Sequence, residues 1–327
     1  MLWAVRAGPS AVFWLVRNGS MAPRDRDRLD AGKTLRFSGG GGSGAHDVTR
    51  AALSSSAMYV ITEPNNLARR RNPTRGTAAR PARPGPGGRV WAMVGAMSAI
   101  VSYTLTGKTA VVTMDDGKAN ALSMPMLDEL DGALTRAEAE ASAVVLTGRP
   151  ERFSAGFDLR VMMSSPDAAI ALLRRGAELL LRLFGLPIPL VIAATGHALA
   201  GGALVVLTGD VRLGVDGPYK LGLNEVAIGM PVPLLAMELA RARLGPLDLT
   251  RATLGAHIYT PAEAVAAGYL DRVTTADALA ADALAEGARL GALPRAAYAA
   301  TKQRLRGAVI ELIRAGFEAD VARALGK

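Results

Sequence analysis

The segment LVIAATGHALAGGALVVLTGDVRLGV, Leu190–Val215, holds a strand, a glycine turn, a helix and a second strand in twenty-six residues. Leu190–Ala194 is a short β-branched run, Thr195-Gly196-His197 breaks it, the apolar stretch from about Gly201 to Leu207 suits a buried helix, and Val211–Val215 starts a new strand. A scan for hydrophobicity alone would misread this region. From Leu183 to Gly209 no residue is formally charged, a length sufficient to cross a bilayer. Pro187, Pro189, five glycines and His197 interrupt it, which favours the core of an α/β domain over a membrane span.

The same alternation extends both ways. Ala110–Met114 and Ala143–Thr147 read as strands, with Leu127, Leu130, Leu134 and Ala137 at helical spacing between them. A helix after Pro166 carries Ile170, Leu173, Ala177 and Leu180 on one face. Thr260-Pro261-Ala262-Glu263 is a helix start, with an N-cap threonine, proline at the first position and glutamate at the third, and Gly268 ends the turn. Beyond Ala276 the chain reads helical to its end, broken near Pro294. Strands alternating with helices predict an α/β core over residues 97–275, followed by a helical region over 276–327.

Composition narrows the chemistry. Of 327 residues, 50% are hydrophobic and 20% charged, enough for a sizeable core. No cysteine is present, which removes disulfides, zinc–thiolate sites and a cysteine nucleophile. The three histidines, His46, His197 and His257, form no metal-ligand spacing, so no metal site is expected. The net charge of +9 invites a nucleic-acid reading until it is divided. Residues 1–96 hold 15 Lys and Arg against 5 Asp and Glu, whereas residues 97–327 hold 23 against 24. The basic excess is confined to the first segment, and no nucleic-acid partner is expected for the rest.

Residues 1–96 contain the run Gly39–Gly42, the triplet Arg69-Arg70-Arg71 and the string Pro81–Gly88, with no useful apolar period. An organellar presequence would account for the arginines but not for Asp25, Asp27 and Asp30. A nucleic-acid arm would want interleaved aromatics and a structured reader. The favoured reading is a disordered or non-native extension ahead of a natural start near Met97. The expected location is then cytoplasmic, or the mitochondrial matrix if residues 1–96 act as a presequence.

Two loops place small residues where a strand hands over to a helix: Phe153-Ser154-Ala155-Gly156-Phe157-Asp158 and Gly196–Gly202. The first N–H groups of a helix have no partner inside it, and glycine lets an anion approach. Facing each other, two such loops could hold one oxyanion between two amides. Taken singly, each is equally compatible with glycine used for tight packing. A third feature is Asn224-Glu225, a carboxylate in an apolar segment; it reads either as a solvated loop residue or as a carboxyl whose burial among Val226, Ala227, Ile228 and Met230 would raise its proton affinity.

The order and spacing of these features resemble the crotonase (enoyl-CoA hydratase/isomerase) superfamily over nearly all of residues 97–327. The carrying motifs are Lys118-Ala119-Asn120-Ala121-Leu122, Phe153–Leu159, Gly196–Gly202, Asp210 before a strand, Gly222–Glu225 and Thr260–Val273. The resemblance implies a spiral of ββα units with C-terminal helices that mediate self-association into a homotrimer or hexamer. It implies an acyl-CoA thioester as substrate and no separate cofactor. By motif position it assigns the oxyanion amides to Phe157 and Gly201, and substrate or CoA contacts to Ala119, Asn120, Ala155, Asp158 and Leu204. Asp158 also reads as a helix cap, His197 as a packed histidine, and Lys302 as either a group near the CoA nucleotide or part of a solvated helix face.

One position separates the family's reactions. Its hydratases use two glutamates, one after the second glycine loop and one at the later motif. The later one is Glu225; at the first stands Leu204. The Δ3,Δ2-enoyl-CoA isomerases of mitochondrial type resemble the chain at both places, with an apolar residue after Ala-Gly-Gly-X and a Gly-Leu-Asn-Glu segment. The resemblance therefore implies a 3-enoyl-CoA to 2-enoyl-CoA isomerase with Glu225 as base and acid. An enoyl-CoA hydratase and a non-catalytic acyl-CoA binding protein are the alternatives. The sequence also predicts that Val309, Ile310, Leu312 and Ile313 give the last helix apolar surface for a partner.

Overall fold

The computed structural model describes residues 99–324 and, before them, only the backbone of five strands between residues 3 and 62. The chain divides into two units, 1–92 and 93–327, and each is treated by itself. In the first, Trp3–Arg6, Ala11–Leu15, Ala57–Thr62, Ala45–Ala52 and Thr34–Ser38 pair antiparallel in that spatial order. The expectation of a disordered or non-native extension over residues 1–96 falls mostly on residues outside the described ones.

The second unit opens with a hairpin, β1 (Val101–Thr106) and β2 (Thr109–Met114), and then α1 (Met124–Glu140). Three rounds follow in which a strand of a large sheet is succeeded by a strand of a small one and then by helix. The first is β3 (Ala143–Gly148), β4 (Glu151–Ser154), α2 (Leu159–Met162) and α3 (Pro166–Gly185). The second is β5 (Leu190–Ala194), β6 (Gly196–Leu199) and α4 (Gly201–Thr208). The third is β7 (Val211–Val215), β8 (Leu221–Gly222), a 3₁₀ turn (Val226–Ile228) and α5 (Leu234–Arg241). Then come α6 (Pro246–Thr253), α7 (Pro261–Ala267), β9 (Arg272–Thr274), α8 (Ala276–Gly291) and α9 (Arg295–Ala324).

The large sheet has the order β9-β7-β5-β3-β2-β1 and is parallel except for the hairpin; the small sheet, β8-β6-β4, is wholly parallel. This is the expected ββα spiral. Alternation on the central strands shows why they read as continuous apolar runs. Leu190, Ile192 and Ala194 face the main core, while Val191 and Ala193 face the opposite side, where Leu279, Ala283 and Leu290 of α8 cover them.

Local chemistry sets the helix ends. Ser123 and Ser165 cap α1 and α3, each followed by a proline in the first turn, and Thr260 forms the expected capping box with Glu263 at the head of α7. One local expectation fails: the segment 196–199, read as part of a glycine turn, is the strand β6. It pairs with β4 on one side and β8 on the other, with a register shift between His197 and Ala198. A second correction concerns the last helix. Ile310 and Ile313 are buried against the rest of the unit, with Val309 packed beside them, so the four apolar residues do not form a free face. Leu305 and Leu312 remain exposed at 73% and 50%.

Candidate active site

The β4–α2 loop lies against the start of α4. Gly156 has φ +90, a conformation that favours glycine, and a Cβ there would stand 2.9 Å from the Gly201 nitrogen and 3.0 Å from the Leu199 oxygen. The loop is held from the other side by the segment around Asn120. The Ala155 N–H donates to Ala119 O at 3.0 Å, Ser154 Oγ donates to Asn120 O at 2.7 Å, and Leu122 N–H donates to Gly156 O at 2.8 Å. Asn120 is fully buried and its side chain is engaged throughout. Its Nδ2 donates to Met114 O, Arg152 O and Phe153 O, and its Oδ1 accepts from Asp116 N–H. Asn120 therefore braces the loop, and its backbone neighbours form the outward surface: Ala155 is exposed and Ala119 half-buried.

Two amides stand out at this junction. Phe157 is bridged to Leu122 in parallel fashion, with Leu122 N–H donating to Gly156 O and Asp158 N–H donating to Leu122 O at 3.3 Å. Parallel pairing uses the groups on either side of Phe157, so its own N–H points away from Leu122. The Phe157 ring is wedged beside α3: a Cβ on Gly176 would come within 2.2 Å of it. Gly201 opens α4, where the first N–H groups lack helical partners. Ala200 ahead of it has φ +48 and ψ −122, an uncommon conformation for a residue with a side chain, held by its N–H donating to Gly222 O at 3.0 Å. Gly202 serves packing, since a Cβ there would meet the Ser154 oxygen at 2.2 Å. The packing reading of the glycine loops therefore holds at Gly202.

The Ala200–Gly222 bond ties α4 to the strand that leads into Asn224-Glu225. Glu225 is 8% exposed, and its Oε2 has no hydrogen-bond partner. Burial pushes its carboxyl above the usual carboxylate range, with two backbone hydrogen bonds opposing that shift. No charged group contributes to the shift. Burial is the expected cause, but the residues expected to provide it, Val226, Ala227, Ile228 and Met230, are exposed. Val226, Ala227 and Ile228 form the 3₁₀ turn that follows Glu225. Leu204 lies one turn into α4, 4% exposed, on a helix buried along its whole length.

The remaining candidates separate cleanly. Asp158 caps α2, its carboxylate accepting from Arg160 N–H at 2.9 Å. His197 is half-buried, its Nδ1 accepting from Lys220 N–H at 3.1 Å, and its ring meets Tyr219 edge-on; burial and the nearby Arg152 hold its pKa down. Lys302 is neither on a solvated face nor free for a nucleotide. It is buried, donating to Ile188 O at 3.0 Å and paired with Asp210 at 2.5 Å, and burial pushes its pKa down to about 8. Arg306 shares Asp210 at 2.8 Å and donates to Phe184 O and Thr208 O, while Arg243 donates to Leu207 O and Gly209 O. These cations meet the carbonyl ends of α3 and α4, where helix dipoles favour positive charge. Sequence reasoning passed over Tyr269, a buried phenol whose pKa is pushed up by burial first, with Tyr259 and Glu225 adding to the shift. Its only signal was a phenol among the apolar residues of Ala264–Leu270.

Among the described residues no group of three or more metal-ligating side chains converges, and no helix is long and apolar enough to cross a membrane. Residues 105–323 match the enoyl-CoA hydratase/isomerase family. Over 232 residues the chain is 33% identical to the mitochondrial enoyl-CoA delta isomerase 1 of Homo sapiens, covering 69% of this chain and 77% of that one. A probable enoyl-CoA hydratase of Bacillus subtilis is 32% identical over 135 residues, 40% of this chain and 52% of that one. Among solved structures, an enoyl-CoA hydratase/isomerase family protein from Pseudomonas syringae superposes with a TM-score of 0.67 at 39% identity, covering 69% of this chain and 98% of that chain.

Proposed function

The chain belongs to the enoyl-CoA hydratase/isomerase family, and from that premise we propose that it shifts the double bond of a 3-enoyl-CoA to the 2-position. Glu225 takes a proton from C2 of the thioester. The negative charge delocalises over the thioester oxygen and the former double bond, and the amides of Phe157 and Gly201 hold that oxygen. The protonated Glu225 then returns its proton to C4, which leaves the double bond between C2 and C3. Protons and electrons balance without water or an external acid.

The observation that carries this reading is a single buried carboxylate with a hydrophobic residue where the hydratases of the family place a second. Glu225 feels no charged neighbour, and Leu204 can neither hold nor deprotonate a water. A raised proton affinity suits a group that must accept a proton and give it back. The oxyanion amides matter most in the transition state, where loss of one such donor costs about 2.7–4 kcal/mol in other enzymes. We carry self-association as a trimer or hexamer in the same reading, with the exposed Leu305 and Leu312 of α9 as available surface. Location, cytoplasmic or mitochondrial matrix, turns on residues 1–96.

The test pairs two substrates with two variants. Wild-type protein should convert a 3-enoyl-CoA faster than it hydrates a 2-enoyl-CoA. Glu225→Gln should lower isomerisation by roughly 10²–10⁴, while binding changes less because backbone amides hold the thioester. Leu204→Glu should raise hydration relative to isomerisation. Wild-type hydration that greatly outpaces isomerisation would refute the isomerase reading in favour of a hydratase. Full activity in Glu225→Gln would refute the residue assignment, and acyl-CoA binding without turnover of either substrate would refute catalysis itself.

A further inference from the structure

Among the described residues, those other than glycine with positive φ are Asn120, Glu151, Ala200 and Ala256. Asn120 and Ala200 flank the β4–α2 loop, and asparagine is a residue type that tolerates such angles. Alanine is not. The φ +48 and ψ −122 of Ala200 favour glycine, so an alanine here carries a conformational cost that a glycine would escape. Backbone strain of this kind gathers where a site has to be held in one arrangement.

Ala200 is the last residue before α4, and its ψ sets the tilt of the peptide plane that carries the Gly201 N–H. Both sides of the residue are tied. Its N–H donates to Gly222 O at 3.0 Å, and its C=O accepts the Leu204 N–H at 3.1 Å, the bond that opens the helix. With that carbonyl turned along the helix, the N–H on the same trans peptide points back out of the α4 head. The methyl acts across the seam. A Cβ placed on Gly156 would lie 3.1 Å from the Ala200 Cβ and 2.9 Å from the Gly201 nitrogen, so the methyl stands against the β4–α2 loop one residue before Phe157. A Cβ placed on Gly201 would lie 3.1 Å from Cδ2 of the Phe157 ring. The two proposed oxyanion residues and the strained alanine thus meet at one peptide.

We propose that Ala200 is a positioning residue for the oxyanion site, its methyl and its constrained backbone holding the Ala200–Gly201 peptide in the orientation from which the Gly201 N–H meets the thioester oxygen. The inference rests on the proposed function for the identity of that oxygen. Preorganised donors stabilise a transition state because they need not turn as charge develops. Glycine at 200 can keep both backbone bonds, but it lets the peptide turn and exchanges one strained conformation for a relaxed, broader set.

The experiment compares Ala200→Gly with Ala256→Gly in the full chain. Ala256, at φ +45 between α6 and α7, is the control for relief of strain alone. The readouts are thermal melts, kcat and KM for a 3-enoyl-CoA, and the ultraviolet absorption of bound acetoacetyl-CoA, which ionises to an enolate whose charge is shared by the thioester oxygen. Both variants should melt at or above wild type, and Ala256→Gly should keep the wild-type kcat and enolate midpoint. Ala200→Gly should lose roughly tenfold in kcat, short of the roughly 10²–10³ for deleting a donor outright, with KM within about twofold. Its bound ligand should ionise about one pH unit higher, which is the same tenfold. A midpoint unmoved in Ala200→Gly, a kcat within about twofold of wild type, or a melt below wild type overturns the positioning role and leaves the methyl a packing element. If wild type ionises the bound ligand but isomerises nothing, the isomerase reading falls and the midpoint still decides this inference. If wild type isomerises and the Ala200→Gly midpoint is unmoved, only this inference falls. Absence of the enolate on wild type would remove the oxyanion assignment and this inference with it.

Discussion

Gly202→Ala is a one-carbon substitution that reaches the two proposed oxyanion amides. A Cβ at Gly202 would lie 2.2 Å from the Ser154 oxygen, 2.8 Å from its carbonyl carbon and 2.9 Å from its Cβ, where ordinary contact begins at 3.4 Å. The shortfall of 1.2 Å cannot be relieved by a rotamer, because the obstacle is backbone. Ser154 ends β4, and its Oγ bonds both Asn120 O and Gly156 N–H. The β4–α2 loop and the head of α4 must therefore separate, and Phe157 and Gly201 sit on opposite sides of that seam. Overpacking of this kind costs about 1–3 kcal/mol, or roughly 2–12 °C in melting temperature for a unit of this size. Misplacing reacting groups by about 1 Å can cost on the order of 10²-fold in rate. Isomerisation of a 3-enoyl-CoA should therefore fall about a hundredfold in kcat/KM. Gly132→Ala in α1, where an added Cβ meets nothing within 4 Å, is the control and should raise the melting temperature with activity intact. A Gly202→Ala protein with wild-type melting and kcat/KM within twofold would refute the account of the paired loops.

Two further outcomes follow from burial. Burial raises the Glu225 pKa in the folded state, so the native protein binds that proton more tightly than the unfolded chain does, and the stability this contributes is lost as pH rises through the elevated value. Glu225→Gln should therefore melt higher than wild type at about pH 8, with the difference closing near pH ~3, where the carboxylate is protonated in both states; equal melts at every pH would contradict the shift. Sedimentation at micromolar concentration should show a trimer or its multiple, reduced to monomer by Leu305→Asp; a wild-type monomer would remove the assembly reading.

The legible parts of the fold were those with a local cause. Thr260 with Pro261 and Glu263 announces a helix whatever surrounds it, and Leu190–Ala194 has no polar face to solvate. The small sheet was hidden for the opposite reason. β4, β6 and β8 have four, four and two residues, and each becomes a strand only through its neighbours from other rounds of the spiral. Segment 196–199 therefore looks like a turn until β4 and β8 flank it. Lys302 misleads similarly, since a lysine on a helix reads as solvated and only the fold brings Asp210 beneath it.

The site divides along the same line. Glu225 and Leu204 were visible as residue types in ordered motifs, but the setting of Glu225 was not, because the residues after it in sequence are exposed while Glu225 itself is buried. That geometry bears on which reaction is favoured. Every residue of α4 is buried, so a glutamate at position 204 would have to hold its carboxyl out of water, as Glu225 does. Without added donors such a buried carboxyl would keep its proton at neutral pH. A hydratase must supply those donors or admit water to supply them. In the proposed isomerisation, leucine at 204 leaves Glu225 to act alone, and an elevated proton affinity would serve both abstraction at C2 and return at C4.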